Sequence, residues 1–342
     1  MSESIHKGLI SSITVYNERF KVYDAINGTI ADSFTRHVSY GLGTLPKFLL
    51  AKYFYDTEGS ELFEKICETP EYYVTRTESE ILKENVHEIA KLNNGKKVIV
   101  ELGSGSSVKT RYLLNSFLNN YPKLLYMPID VSEIMVSSSN ILLEEFEALK
   151  IDGILSEYET GLNVAGSVIK EPKMIIFLGS SIGNFNLPDA FYFVKHIAGV
   201  MNTGDTFLIG FDMVKDINVL NAAYNDAEGY TAKFNLNLLK RINRELNGEF
   251  NLNKFEHKAF FNEAKSRIEM HLVSQGEQDV CIHSIRKEIH FDDNETIHTE
   301  SSYKFTDEMI NEIASHAGLE LEKVWKDKKD YFALCLMSKI KT

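Results

Sequence analysis

Glu101-Leu-Gly103-Ser-Gly105-Ser-Ser107 sets an acid and two glycines at the exit of an apolar, β-branched run, Lys97 to Glu101, and Thr110 to Leu118 follow with helical apolar spacing. Strand, tight loop and helix in that order let a ligand come close to backbone, because Gly103 and Gly105 carry no Cβ to collide with it. Asp130 ends the next apolar run, Leu124 to Asp130, and a carboxylate there can accept both hydroxyls of a ribose. A dinucleotide and S-adenosylmethionine both carry that ribose. The dinucleotide fingerprint needs a third glycine where this chain has Ser107 or Val108. Glu101 beside the loop suits a cationic sulfonium. The loop and Asp130 therefore favour S-adenosylmethionine, with a dinucleotide or a purely structural turn as the alternatives.

These residues need a scaffold, and the chain has the material for one. It has 342 residues, 44% hydrophobic and 25% charged with only 6 prolines, enough for a large α/β domain with a second lobe. A formal net charge of -12 argues against nucleic acid or an anionic membrane as partner. No stretch approaches a membrane span, and the start, MSESIHKGLI, lacks a signal-peptide pattern, so a cytoplasmic location is expected. Cys67, Cys281 and Cys335 are too scattered for a disulfide framework or a zinc site and are expected as reduced thiols. Of the ten histidines none has metal-pair spacing, so no metal is expected; His283 and His290 should line or edge a sheet.

Further strands are expected near Gly153 to Leu155, at Lys173 to Gly179 and at Asp205 to Asp212. Helices are expected from a Ser132 cap with Glu133 in its first turn through Leu149, and over Pro188 to Val200. The alternation predicts a parallel, doubly wound sheet. Asn218 to Asn247 reads as helical. Arg267 to Val273 and Val280 to Phe291 alternate like antiparallel strands, and a helix over Asp307 to Ala317 precedes strands at Leu319 to Trp325 and Tyr331 to Met337. The aromatic-rich front of the chain, to about Gly95, is expected to be helical and to join the Val214 to Ser302 insert as a lobe over the sheet's carboxyl edge.

Longer stretches make the reading more specific. They are Tyr53-Phe-Tyr-Asp-Thr-Glu-Gly-Ser-Glu-Leu-Phe63, Pro70-Glu-Tyr-Tyr-Val-Thr-Arg-Thr-Glu78, Glu101 to Gly105 with Lys109-Thr-Arg111, and Phe177-Leu-Gly-Ser-Ser-Ile-Gly-Asn184. Tyr224-Asn-Asp-Ala-Glu-Gly229, Arg267-Ile-Glu-Met270 and Glu300-Ser-Ser-Tyr-Lys-Phe305 complete the set. Together they resemble the ergothioneine-pathway histidine N-methyltransferases, which convert histidine to its trimethylated betaine. Only the first ~35 residues lack a counterpart, judged by short-motif matching. The resemblance implies an α/β, Rossmann-like class I methyltransferase sheet, doubly wound, with a second, smaller α+β lobe. It divides the chain into 1–60 (a helical segment of the substrate lobe), 61–213 (the cofactor-binding core), 214–303 (an inserted substrate lobe) and 304–342 (completion of the sheet).

Position by position, the resemblance implies that Gly103, Lys109 and Asp130 hold S-adenosylmethionine. Glu157 and Tyr158 stand where the family has an Asp-Phe pair at the adenine, a departure that leaves the adenine contacts open. Tyr55, Tyr72, Gly179, Asn184 and Tyr224 would surround the amino and carboxylate groups of L-histidine, and Met270, Glu300 and Ser302 its side chain. Methyl transfer from a sulfonium to an amine needs alignment and exclusion of water more than a covalent nucleophile. Asn184 and Tyr72 would orient the amine lone pair. Glu300 and Ser302, two residues apart on a strand, share a face and would read the two imidazole nitrogens. Asn184, Tyr224, Glu300 and Ser302 are expected around one cavity facing Gly103. No oligomer is implied.

Each residue also has an ordinary use. Tyr72 and Tyr73 can be core aromatics, Asn184 a loop stop, Glu300 a solvated charge, Met270 core filler and Lys109 an exposed helix cation. Thr77-Glu-Ser-Glu80 reads as a capping box before the stripe Ile81, Leu82, Val86, Ile89. The rival functions are N-methylation of another amino acid such as a tryptophan derivative, a cofactor-binding module without turnover, and an NAD-dependent oxidoreductase.

Overall fold

Runs of Val, Ile and Leu flanked by turn residues become strands here, and the longest are buried on both faces, as a sheet covered by helices requires. The computed structural model describes residues 9–26, 30–132 and 134–340. In chain order its strands are β1 (Ser12–Asn17), β2 (Phe20–Asp24), β3 (Lys47–Phe48), β4 (Val98–Leu102), β5 (Leu124–Asp130), β6 (Leu149–Leu155), β7 (Met174–Phe177) and β8 (Thr206–Asp212). Then come β9 (Phe255–Asn262), β10 (Arg267–Ser274), β11 (Gln278–Ile282), β12 (Lys287–Phe291), β13 (Thr296–Tyr303), β14 (Leu319–Lys326) and β15 (Phe332–Lys339).

The chain divides into two units. The first comprises Thr77–Met213 with the described parts of 1–27 and 305–342. Its sheet runs β1-β2-β6-β5-β4-β7-β8-β15-β14. The six strands from β2 to β8 pair in parallel, and β15 is antiparallel to both β8 and β14. Strand order reverses between β4 and β7, so the loops leaving these two strands flank the switch point where doubly wound sheets bind ligands. The crossover helices Thr110–Asn120, Tyr158–Val168 and Leu187–Val200 bury apolar residues such as Leu113, Leu162 and Val194. Pro188 sits in the first turn of the last of these, where its missing N–H costs nothing. This is the expected doubly wound, Rossmann-like sheet, and its final strand is inserted antiparallel between β8 and β14.

The second unit comprises the described part of 28–76 and Val214–Lys304. It holds a four-stranded sheet, β3-β13-β10-β9, and a separate β11-β12 hairpin. The helix Tyr230–Leu246 turns Phe234, Leu238, Leu239, Ile242 and Leu246 inward, a spacing that keeps them on one face. Its first turn is anchored by Asp226, whose carboxylate accepts from the N–H groups of Tyr230 and Thr231, both at 2.7 Å.

Several expectations need correction. The segment 1–60 is not simply a helical part of the substrate lobe, since β1 and β2 form a hairpin that extends the first unit's sheet. The front of the chain is itself split, residues 77–95 belonging to the first unit. Thr77-Glu-Ser-Glu80 is no capping box, because the helix already begins at Val74 and runs to Leu92. The helix expected through Leu149 ends at Glu145, and Leu149 is already the first residue of β6. Glu133, expected in that helix's first turn, lies outside the described residues, but the Ser132 hydroxyl does accept from the Ile134 N–H at 3.3 Å. No helix among the described residues is long and apolar enough to cross a membrane.

Candidate functional site

The loop after β4 carries the glycines where they are needed. Gly103 and Gly105 have φ of +69° and +46°, the left-handed region that other residues enter at a cost. A Cβ on Gly103 would stand 2.8 Å from the Tyr158 hydroxyl, whereas around Gly105 there is open space. Asp130 ties the loop to the end of β5, accepting from the N–H groups of Gly105 and Ser132, each at 2.9 Å. Burial raises its carboxyl pKa and the backbone donors act against that. Lone pairs remain for ribose hydroxyls, since two carboxylate oxygens offer about four acceptor sites.

Glu101 is held inside, accepting from Thr110 Oγ1 at 2.6 Å and from the Tyr126 hydroxyl, and burial pushes it up to about 7. The hydroxyls of Ser104 and Ser156 are buried without a partner among the described residues. These two orphan groups flank the loop and the end of β6, and a polar cofactor with ribose and adenine edges suits them. Tyr158 packs edge-on against Phe177, with centroids 5.4 Å apart. Glu157, beside it, is exposed at the start of its helix.

The loop after β7 is as tightly built. Gly179 and Ser180 have φ of +81° and +54°, and the Ser180 hydroxyl accepts from the Asp212 N–H at 2.8 Å. Asn184 ends this turn exposed, its amide making no bond to the described residues. Glu78 ends the Pro70–Glu78 stretch and falls in the expected capping box, but no site role was expected of it. It is fully buried, accepts from the Gly179 N–H at 2.9 Å and pairs with Lys109, so Lys109 is not the solvated helix cation of its ordinary reading. A Cβ on Gly210 would come within 2.3 Å of the Glu78 carboxylate, which gives that glycine its purpose. Glu78 thus joins the glycine turn after β7 to the helix after β4.

The second unit gathers the other candidates. Tyr72 and Tyr224 meet edge to face at 6.2 Å, Tyr55 packs on Phe63 at 5.6 Å, and Phe63 on Tyr72 at 6.1 Å. Met270 lies directly across the ladder from Glu300, and Ser302 follows two residues on, so the three share one face. The Tyr224 hydroxyl donates to Ser302 Oγ at 2.8 Å. Burial pushes the Tyr72 hydroxyl well above its ordinary pKa, and nearby Tyr224, Cys67, Tyr55 and Glu300 add to the shift. Glu300 is only half-buried by surface, yet loss of water around its carboxyl raises it to about 7, with Lys304 acting in the opposite direction. It accepts no hydrogen bond from the described residues, which is not the setting of a solvated surface charge. Met270, at 1% exposure, is core as well as candidate lining.

The family model for histidine-specific, S-adenosylmethionine-dependent methyltransferases matches residues 34–339. The chain belongs to this family. Histidine N-alpha-methyltransferase from Mycobacterium tuberculosis is 38% identical over 89% of this chain and 94% of its own. Ergothioneine biosynthesis protein 1 of Neurospora crassa is 31% identical over 84% of this chain, which covers 32% of that longer protein. A 4-dimethylallyltryptophan N-methyltransferase from Claviceps purpurea is 27% identical over 90% of this chain and 95% of its own. Among solved structures, an S-adenosylmethionine-dependent methyltransferase from Clostridium acetobutylicum aligns at a TM-score of 0.45 and 11% identity, over 82% of this chain and 99% of that one. By its family, this methyltransferase is an enzyme, and S-adenosylmethionine is its methyl donor.

The Glu300 environment gives the methyltransferase a pH signature. A carboxyl raised from 4.5 to about 7 on folding keeps its proton longer in the native state, so native stability falls as pH rises between those values. Glu300→Gln has no such ionisation. Its melting temperature relative to the unaltered enzyme is expected to climb by about a few degrees between pH 5 and pH 8, by the usual relation of free energy to melting temperature. Parallel melting curves for the two proteins across that range, followed by calorimetry, would contradict this environment.

Proposed function

We propose that the enzyme methylates the α-amino nitrogen of L-histidine and carries the product through to the trimethylated betaine used in ergothioneine biosynthesis. The observation that carries this reading is the pairing on β13 of an unengaged carboxylate, Glu300, with a hydroxyl, Ser302, on the face that also bears Met270. A neutral imidazole offers one N–H and one lone pair, and those two groups can satisfy both. Gly103, Lys109 and Asp130 would hold the donor, with Glu157 and Tyr158 at its adenine. S-adenosylmethionine supplies a methyl carbon on a sulfonium, a leaving group that needs no activation.

The remaining chemistry falls to the chain. The attacking amine must be neutral and aimed, and the Asn184 amide, with Gly179 beside it in the same turn, offers an acceptor for its N–H. Tyr72 stays protonated at neutral pH, so it can orient the amine but not take its proton, which leaves to water. The Tyr55, Tyr72 and Tyr224 rings would accept the growing positive charge of the methylated nitrogen through their faces. A monomer in the cytoplasm is the proposed form, and the three free cysteines suit a reducing compartment.

The second reading, a tryptophan derivative as substrate, draws on the Claviceps relative. An indole offers one N–H and no ring acceptor, so Ser302 would find no lone pair on the ring. Mass spectrometry of the enzyme incubated with S-adenosylmethionine and a mixture of free amino acids tests both. Histidine heavier by one to three methyl groups is the expected result. Methylation of tryptophan alone would transfer the assignment, and no methylated amino acid would remove it.

A further inference from the structure

Lys304, within the Glu300–Phe305 stretch but with no expected role, is wholly buried. An ammonium withdrawn from water is strongly unfavourable unless its donors are used. They are used on two of the residues already described: Nζ donates to Ser302 Oγ at 2.8 Å and to Tyr224 Oη at 3.1 Å, and lies 4.9 Å from the centre of the Tyr224 ring. With the 2.8 Å bond between the two hydroxyls this closes a triangle of polar atoms.

The bonds of the triangle order its protons. An ammonium donates and never accepts, so one lone pair on each hydroxyl is taken by Lys304. Between the hydroxyls the phenol, far the stronger acid, donates to the serine. Both lone pairs of Ser302 Oγ are then occupied, and its own proton is the one left to be given away. Without Lys304 the serine could turn and present a lone pair instead.

We infer that Lys304 is a positioning residue that fixes Ser302 as a hydrogen-bond donor toward the substrate, so that the site selects a side-chain ring with an unprotonated nitrogen. This rests on the reading that histidine is the substrate and that its ring lies at Ser302. Glu300, on the same face of the strand, takes the ring N–H. The pair then discriminates neutral imidazole from rings that lack an acceptor nitrogen.

The test compares Lys304→Met with the unaltered enzyme on histidine and on 3-(2-thienyl)alanine, whose ring has similar size but no nitrogen. The expected result is a KM for histidine raised about tenfold or more, the usual scale for one mispaired buried group. In that variant kcat should stay within about threefold and kcat/KM for thienylalanine should be unchanged. Ser302→Ala should cost about tenfold with Lys304 in place and almost nothing once it is Met, because the two act as one unit. Lys304→Gln, which keeps an N–H donor, should recover most of the preference.

Equal losses on both substrates, a fall in kcat alone, or additive effects of Lys304→Met and Ser302→Ala would overturn the inference. S-adenosylmethionine affinity, measured by titration, reports whether each variant is folded. Should Lys304→Met fail that check, the cycle of Tyr224→Phe with Ser302→Ala reads the same proton order, and an absence of coupling overturns it. An unaltered enzyme that leaves histidine unmethylated overturns the substrate reading itself, a result separate from any Lys304 effect.

Discussion

Glu300→Leu is expected to lower kcat/KM for histidine by about 10³- to 10⁴-fold, with most of the loss in KM. A leucine fills similar volume on β13 but leaves a substrate N–H facing hydrocarbon, and an unpaired polar group in a closed site is what gives discrimination of this size. Glu300→Gln should fall between, down about 10- to 100-fold, because the amide oxygen still accepts while the charge assistance is gone. Steady-state kinetics with histidine and tryptophan side by side distinguish the outcomes. If Glu300→Leu keeps the histidine rate within about threefold, Glu300 does not touch the ring, and the proposed roles on β13 fail with it.

Gly103→Ala carries the second large effect. Its backbone sits at φ +69°, and its N–H is pinned to the Ile129 carbonyl at 2.8 Å, so the loop has little freedom to rotate away. The left-handed conformation alone costs a residue with a Cβ about 1–2 kcal/mol. The 2.8 Å approach to the Tyr158 hydroxyl adds a clash against a ring wedged between Phe177 and Phe193. Affinity for S-adenosylmethionine, measured by titration, should fall about 100-fold. Adding Tyr158→Phe removes the colliding oxygen and leaves ring carbons at 3.5 Å, an ordinary contact. The double variant should therefore regain roughly tenfold and keep only the conformational cost. A single variant that binds as well as the unaltered enzyme would mean the cofactor does not rest on this turn.

The parts that could be read in advance share a physical origin. Strands β4, β5, β7 and β8 are apolar runs rich in Val, Ile, Leu and Phe, and a run of that kind is a property of neighbouring residues. The Gly103 and Gly179 turns show themselves through glycine, which marks a backbone shape wherever the chain goes afterwards. β1 escaped although Ile13 and Val15 alternate with Ser12 and Thr14, because all six residues are exposed and so short a run does not say which sheet edge it joins.

By itself, then, the order of residues determined the sheet's parallel strands, the glycine turns at their ends, and the spacing that puts Glu300 and Ser302 on one face. Tertiary structure alone decided what the buried charges do. Glu78 meets Gly179 across 101 positions, and Tyr224 meets Ser302 across 78 with Lys304 beneath both. A lysine or glutamate in a sequence reads as solvated, because in water it nearly always is. Only when folding removes the water does its partner become obligatory, and that partner comes from a distant part of the chain whose approach no local pattern encodes.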